Sequence, residues 1–292
     1  MRRKAPAPLY CSAMALRPTP RHDRPFIKMH GLENHFVIVD ARSAPFRPAD
    51  EEIARICNVR TGVGADQLIV IEPPQGEDHA AFMRIYNVDG REAEACGNAT
   101  RCVAWLLLEE QEADKLVIAT LAGNLACRRA GDLLVSCGMG RVSMDWQDVP
   151  LAEARDTCHL DAGDGPLADG VALNIGNPHV VDFVDDLDSV DVAKHGAVIQ
   201  KLPLFPEQVN VGVAQLLDEG NLRLSVYERG AGLTTACGSG ACVAAFAALA
   251  RGLTDRRQMT VRMPAGAVTI DIDDSGFATM TGPVAYCFDG VL

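Results

Sequence analysis

The sequence predicts an α+β protein of two pseudo-symmetric domains, each a curved, mainly antiparallel sheet wrapped around a central helix. Two observations lead there. Strand-like runs greatly outnumber helical ones, and the chain repeats one plan at a fixed offset. Tyr86 and Tyr227, Cys96 and Cys237, and Gly97 and Gly238 each lie 141 residues apart. With 292 residues, 48% hydrophobic and 23% charged, the chain has a globular balance and can bury a sizeable core.

The elements follow in order. Phe26 to Asp40 reads as two β-rich runs around a Gly–Asn turn, as in a hairpin. Asp50 to Cys57 reads as a short helix. From Met83 an alternating run turns at Asp89–Gly90, and helical apolar spacing then extends from Asn98 to Glu110. The second copy begins as a strand at Leu222, turns through glycines and becomes a small-residue helix ending near Gly252. Further strands are expected at Leu116–Thr120, Leu133–Cys137, Val171–Ile175, Val180–Val184, Val209–Leu216, Val268–Ile272 and Phe277–Met280. One more helix is expected over Val190–Ile199. Cys96 and Cys237 therefore fall at helix starts. A weaker match pairs Asn34 with Asn177, 143 residues apart. The first domain is expected to span 25–138 with 281–292 and to carry Cys96, and the second to span 139–280 and carry Cys237.

Composition narrows the function. A formal charge of −12 leaves no basic stripe for nucleic acid. No stretch approaches the roughly 20 apolar residues of a membrane span. Residues 1–24 are rich in arginine and proline and read as a disordered extension, not as a secretory signal. The chain is expected to be cytoplasmic. Its ten cysteines are then expected to be mostly reduced, and they form no CxxC pair. Cys57, Cys127, Cys137, Cys158 and Cys287 read as buried small apolar residues, and Cys102 and Cys242 as helix packing. The scattered histidines show no metal-ligand grouping.

Cys96 and Cys237 stand apart because a helix N-terminus favours thiolate through its free N–H groups and dipole. Two such termini facing each other would hold one carboxylate between them. Their thiols would then flank the carbon bearing it. Inverting that carbon needs a base on one face and an acid on the other, which a thiolate–thiol pair supplies in either direction. One cysteine reaches only one face. Pyridoxal chemistry would need a Schiff-base lysine, and none of Lys4, Lys28, Lys115, Lys194 and Lys201 sits in a glycine-rich phosphate cradle.

The motifs KMHGLENHF, GVGADQLIVIEPP, RIYNVDG with ACGN, NIGNPHVV, FPEQVNVG, YERGAG with ACGSGAC, and MTGPV run in order from Phe26 to Gly290. Together they resemble the diaminopimelate epimerase family. The resemblance implies interconversion of LL- and meso-diaminopimelate without cofactor or metal, by proton transfer between Cys96 and Cys237. It implies helix-terminal contacts from Gly97, Asn98, Gly238 and Ser239 to the reacting carboxylate, and Arg229 on the distal one. Asn34, Gln67, Asn87, Asn177 and Asn210 fall at substrate-binding positions. Glu228 falls at a position that binds substrate and adjusts thiol pKa values, and His179 at one that adjusts them. Phe288 stands where the family often has a dimer-contact tyrosine, so a homodimer is expected.

Some positions depart from the pattern. Glu33 and His35 stand where GLGND is common, so a position that needs φ > 0 there would be strained or reshaped. Ala99–Thr100 replaces a common Gly–Ala, and Leu233 a common glutamate. Two other readings compete: a racemase of another amino acid on the same scaffold, and a redox-responsive thiol binding protein. Without the resemblance, Arg229 reads as half of a surface pair with Glu228.

Overall fold

The structure is a computed structural model that describes residues 24–292, so all of the expected extension except Arg24 lies outside the described residues. Arg24 is anchored, its guanidinium donating to the carbonyls of Ala44 and Pro45 at 2.7 and 3.1 Å.

The first half comprises β1 (Pro25–Gly31), β2 (Asn34–Asp40), α1 (Asp50–Cys57), β3 (Gln67–Glu72), β4 (Ala81–Asn87), β5 (Glu92–Ala93), α2 (Gly97–Glu110), β6 (Lys115–Thr120), β7 (Gly123–Gly131) and β8 (Leu134–Arg141). The second comprises β9 (Val171–Asn174), β10 (Pro178–Phe183), α3 (Val192–Ile199), β11 (Asn210–Asp218), β12 (Asn221–Glu228), β13 (Gly232–Thr234), α4 (Gly238–Ala250), β14 (Gln258–Met263), β15 (Gly266–Ile272) and β16 (Phe277–Pro283), and β17 (Ala285–Val291) closes the chain.

The two halves are wired alike. β2 crosses through α1 to the parallel β3, and β10 crosses through α3 to the parallel β11. The next strands return antiparallel, as β4 on β3 and β12 on β11. The long helix then crosses over to a parallel neighbour, β6 beside β4 and β14 beside β12. Antiparallel hairpins finish each half. β8 and β16 pair antiparallel and join the halves, with Gly138 opposite Thr279. Those two positions carry the same offset of 141 as the cysteines, so the pseudo-twofold axis passes through this pair.

Each long helix is wrapped by its own core. Ala99, Val103 and Leu107 of α2 pack among Ile69, Ile85, Ile118 and Val135. Ala241, Ala244, Ala245 and Ala248 of α4 pack among Leu173, Val226, Val261 and Ile270. A helix apolar on every side must be buried on every side, and small residues let the strands come close. α1 and α3 cover the outer faces of β2–β3 and β10–β11. That double cover explains why β3 reads LIVI without alternation and lies outside the strands expected from sequence. β7, β14 and β17 also lie outside them. β7 and β17 are largely exposed and carry little apolar signal.

Both long helices end in the same motif. After α4, Gly252 takes φ 65°, and its N–H and that of Leu253 donate to Leu249 and Ala248. After α2, the N–H groups of Glu112 and Ala113 bond to Glu109 and Leu108, with Glu112 at φ 48°. These are Schellman caps, one with glycine at the left-handed position and one without. Glu112→Gly is therefore expected to raise unfolding free energy by about 1 kcal/mol, the left-handed penalty less the glycine entropy cost. A denaturant midpoint unchanged or lowered contradicts this.

Candidate active site

The β1–β2 hairpin turns at Leu32 and Glu33, with φ of 54° and 61°, and Gly31 pairs with Asn34 across it. Two positive φ values are what a two-residue hairpin demands. Glu33 therefore does occupy a position that favours glycine. Its N–H donates to Nδ1 of His30 at 3.3 Å, so His30 supports the turn. Leu32 packs into the core around α4, so this turn spans from the first half to the second. Asn34 is thereby set beside α2.

Cys96 and Cys237 cap their helices with matching extended backbones, φ/ψ −151°/106° and −133°/109°. Gly97 and Gly238 face the same two side chains. A Cβ on Gly97 would come within 2.8 Å of the methyl groups of both Met139 and Met280, and one on Gly238 within 3.1 Å of that of Met280. The helix starts therefore converge on the β8–β16 seam. Met139 and Met280 are themselves 141 residues apart, a pairing that was readable in the sequence but absent from the expected site.

Cys237 is buried and Cys96 half-buried. The sequence expects the helix termini to favour thiolate at both, but in the structure burial outweighs them. The Cys96 thiol is raised by desolvation, against the opposing pull of the Ala99 and Asn98 N–H groups and the Arg101 charge. Cys237 is raised further by desolvation and then by the Glu228 carboxylate, against Ser239 and the Gly240 N–H, which donates to its Sγ at 3.4 Å. Glu228 also raises Cys96, so this one carboxylate faces both thiols. Desolvation and Glu228 thus favour the protonated form of both thiols. Cys96 donates to Oδ1 of Asn34 at 3.6 Å.

Asparagines of both halves sit beside the thiols, and Gln67 and Asn87 pair with each other across β3 and β4. Asn98 Nδ2 donates to Asn34 Oδ1 at 3.3 Å, and Gln67 Nε2 donates to Asn87 Oδ1 at 3.0 Å. The buried Oε1 of Gln67 has no hydrogen-bond partner among the described residues. In the second half, Asn177 Nδ2 donates to Ser239 Oγ at 3.3 Å, and Ser239 Oγ lies 3.5 Å from Cys237 Sγ. His179 Nε2 lies 3.1 Å from both Asn177 Oδ1 and Ser239 Oγ. Fully buried, His179 falls to about 3, first through desolvation and then through the Arg229 charge. Burial thus favours the neutral ring, and Ser239 Oγ bridges it to Cys237 Sγ.

Asn210 links this cluster to Arg229, accepting its backbone N–H at 2.8 Å. The Arg229 guanidinium donates to Glu207 O at 3.0 Å. Among the described residues it forms no ion pair with Glu228, which instead accepts from Thr234 Oγ1 at 2.5 Å. The surface-pair reading of Arg229 is thereby set aside. Leu233 is exposed on β13, and Phe288 is exposed on β17, distant in sequence from these clusters.

Cys57, Cys102, Cys127, Cys137 and Cys242 are buried as expected, but Cys158 is only half-buried and Cys287 is exposed. Alternation on β17 misleads because neither face of that strand is covered, with Tyr286 and Phe288 exposed on one and Cys287 and Asp289 on the other. Among the described residues, no three or more His, Cys, Asp or Glu side chains are grouped to hold a metal, and no helix is long and apolar enough to cross a membrane.

The family model for diaminopimelate epimerase matches residues 26–144 and 171–287, one segment in each half. The chain belongs to the diaminopimelate epimerase family. Family members similar to it include the diaminopimelate epimerases of Phenylobacterium zucineum, 47% identical over 92% of this chain and 98% of that protein. That of Acidiphilium cryptum is 48% identical over 92% and 96%. The fold is shared more widely. A hydroxyproline epimerase from Agrobacterium vitis superposes with a TM-score of 0.67 at 15% identity, covering 92% of this chain and 90% of that one. A Bacillus anthracis phenazine biosynthesis protein of the PhzF family gives 0.65 at 17%, covering 92% and 98%. Family membership therefore rests on the close relatives, and the distant structures speak for architecture alone.

The Glu228 charge disfavours both thiolates, so Glu228→Gln is expected to lower the pH at which Cys237 ionises. Its alkylation by iodoacetamide, followed by peptide mass spectrometry, is expected to speed up about tenfold at pH 8, one unit of pKa. No change, or a slower reaction, contradicts the assignment of Glu228.

Proposed function

We propose that this chain is a diaminopimelate epimerase that interconverts LL- and meso-diaminopimelate by α-proton transfer between Cys96 and Cys237, without cofactor or metal. The observation that carries the reading is the convergence of two cysteine-capped helix starts on Met139 and Met280, with Glu228 facing both thiols. Close relatives bearing this name support it. The reaction serves lysine and cell-wall precursor biosynthesis, and its proposed setting is the cytoplasm, where thiols stay reduced.

The substrate carboxylate at the reacting carbon sits between the helix starts and accepts N–H groups from Gly97–Asn98 and Gly238–Ser239. One cysteine, as thiolate, takes the α-proton, and the C–H electron pair delocalises into the carboxylate held by those donors. The other thiol delivers its proton to the opposite face. The two sulfurs end with exchanged protonation, ready for the reverse reaction. The monothiolate has to form despite burial. A substrate ammonium beside Glu228 neutralises the charge that disfavours both thiolates, so binding itself promotes ionisation. Arg229 takes the distal carboxylate with the guanidinium donors that Glu207 O leaves free. Asn34, Gln67, Asn87, Asn177 and Asn210 divide the ammonium and carboxylate groups among their carbonyls and NH2 groups.

We take the halves 25–138 with 281–292 and 139–280 as bodies that close on the substrate and exclude water. A homodimer is proposed along β17, whose outer edge is unpaired among the described residues and whose Tyr286, Phe288 and Val291 are exposed. A compact amino acid would leave the Arg229 donors without an acceptor, which disfavours the other racemase reading. A Cys96–Cys237 disulfide is read as an inactivating side product, and activity restored by reductant tests it.

Cys96→Ala and Cys237→Ala are each expected to abolish conversion of LL-diaminopimelate to the meso form, followed by chiral chromatography, while leaving the protein folded. Full turnover by either variant contradicts the two-base scheme. Arg229→Leu is expected to cost about 3 kcal/mol, roughly a hundredfold in kcat/KM. A loss below threefold would remove Arg229 from the distal site.

A further inference from the structure

Arg101, in the second turn of α2, is the largest fully buried side chain among the described residues. Among the described residues it has no carboxylate partner. Its guanidinium donates to Asn98 Oδ1 at 2.7 Å and more weakly to Gly97 O at 3.5 Å, and it rests 3.4 Å from Met280 Sδ, while its Nε has no partner. Two glycines make its chamber. A Cβ on Gly282 would lie 3.0 Å from its Cζ and Nε, and one on Gly31 3.3 Å from its terminal nitrogen. A charge buried without a counter-ion near the positive end of a helix is doubly unfavourable. Packing alone would be better served by an apolar side chain of that volume.

The contacts suggest what it does. Arg101 donates to Asn98 Oδ1, which leaves Asn98 Nδ2 to donate to Asn34 Oδ1 at 3.3 Å. Asn34 Nδ2 in turn donates to Asp66 Oδ2, also at 3.3 Å. Every bond in this chain runs in one direction, from a guanidinium to a carboxylate. An amide alone can present either end, but an amide between fixed charges cannot. Asn34 is therefore held with Oδ1 toward the thiol of Cys96, which donates to it at 3.6 Å.

We propose that Arg101 and Asp66 are positioning residues at the two ends of one polarised relay, which fixes how Asn98 and Asn34 meet Cys96. This rests on Cys96 being one of the two proton-transfer groups. The ends pull the thiol oppositely. Arg101 favours its ionisation through charge, whereas Asp66 opposes it by holding an acceptor against the S–H. The other groups facing this cluster are Glu228, which disfavours the Cys96 thiolate, the thiols of Cys102, Cys137 and Cys242 around Arg101, and Lys28 and His35 beside Asp66.

The test is the pH dependence of Cys96 alkylation in the full chain, read by peptide mass spectrometry with no substrate present. Arg101→Gln is expected to move the midpoint upward, slowing alkylation about tenfold at fixed pH, and Arg101→Lys to stay within about threefold. Asp66→Ala, at an exposed position, is expected to move it downward, speeding alkylation about threefold. Shifts of opposite sign from the two ends are what a merely structural role does not produce. A folded Arg101→Gln protein with an unchanged or lowered midpoint overturns the proposal, as does Asp66→Ala with no shift or an upward one. If Arg101→Gln fails to fold, Asp66→Ala and Arg101→Lys decide, and a tenfold slowing in Arg101→Lys overturns it. No turnover is measured, so failure here is distinct from failure of the epimerase reading.

Discussion

The antiparallel ladder between β8 and β16 is the contact on which the site depends. It joins two halves that each complete their own core around their own helix. It also fixes their relative rotation, because Gly138 and Thr279 lie opposite each other on the pseudo-twofold axis. Ser136 and Thr281 hydroxyls meet across it at 2.6 Å. From this seam Met139 and Met280 project against the first-turn glycines of both long helices. A Cβ at either position would force those methionine tips to shift, so glycine there lets both helix starts close on the seam.

Duplication supplies the symmetric part of the chemistry, and divergence supplies the rest. A racemising centre needs two equivalent donors on opposite sides, which two copies of one strand–turn–helix unit provide. A substrate with two like ends, of which only one reacts, needs the copies to differ, because one set of groups flanks the reacting carbon and another holds the far end. At the shared offset Asn87 corresponds to Glu228, Val88 to Arg229, Asn98 to Ser239 and Arg101 to Cys242. The first copy sets neutral amides beside Cys96 and buries a cation behind them. The second sets the Glu228 carboxylate toward both thiols, with an exposed Arg229 next to it in sequence. The two thiols are thus chemically alike and electrostatically unlike, with the Glu228 charge second only to desolvation at Cys237 and a lesser influence at Cys96.

Much of this was legible in the sequence, for definite reasons. Cys96 and Cys237 stood out because both precede glycine at the start of a helix and recur at a fixed offset, and both helices lie where the spacing places them. β3 was not read as a strand because cover on both faces removes the alternation that marks one. Residues that act through others were also hidden. Arg101 looks like one more charged helix residue, and Asp66 like part of a loop, until the fold sets Asn98 and Asn34 between them. The ionisation balance at the two thiols stayed open because sequence shows the helix terminus but not the desolvation that opposes it. The neutrality of His179 has the same cause.

The most direct test of a two-base site is isotope transfer. LL-diaminopimelate is incubated with the reduced protein in D2O, and both epimers are isolated at low conversion. The account predicts one deuterium at the inverted carbon of the meso product and none in the remaining LL substrate, because the group that removes the proton is not the group that delivers one. The reverse reaction should show the same pattern. Product that keeps the original protium would mean that a single group carries the proton from face to face, and would contradict the roles given to Cys96 and Cys237.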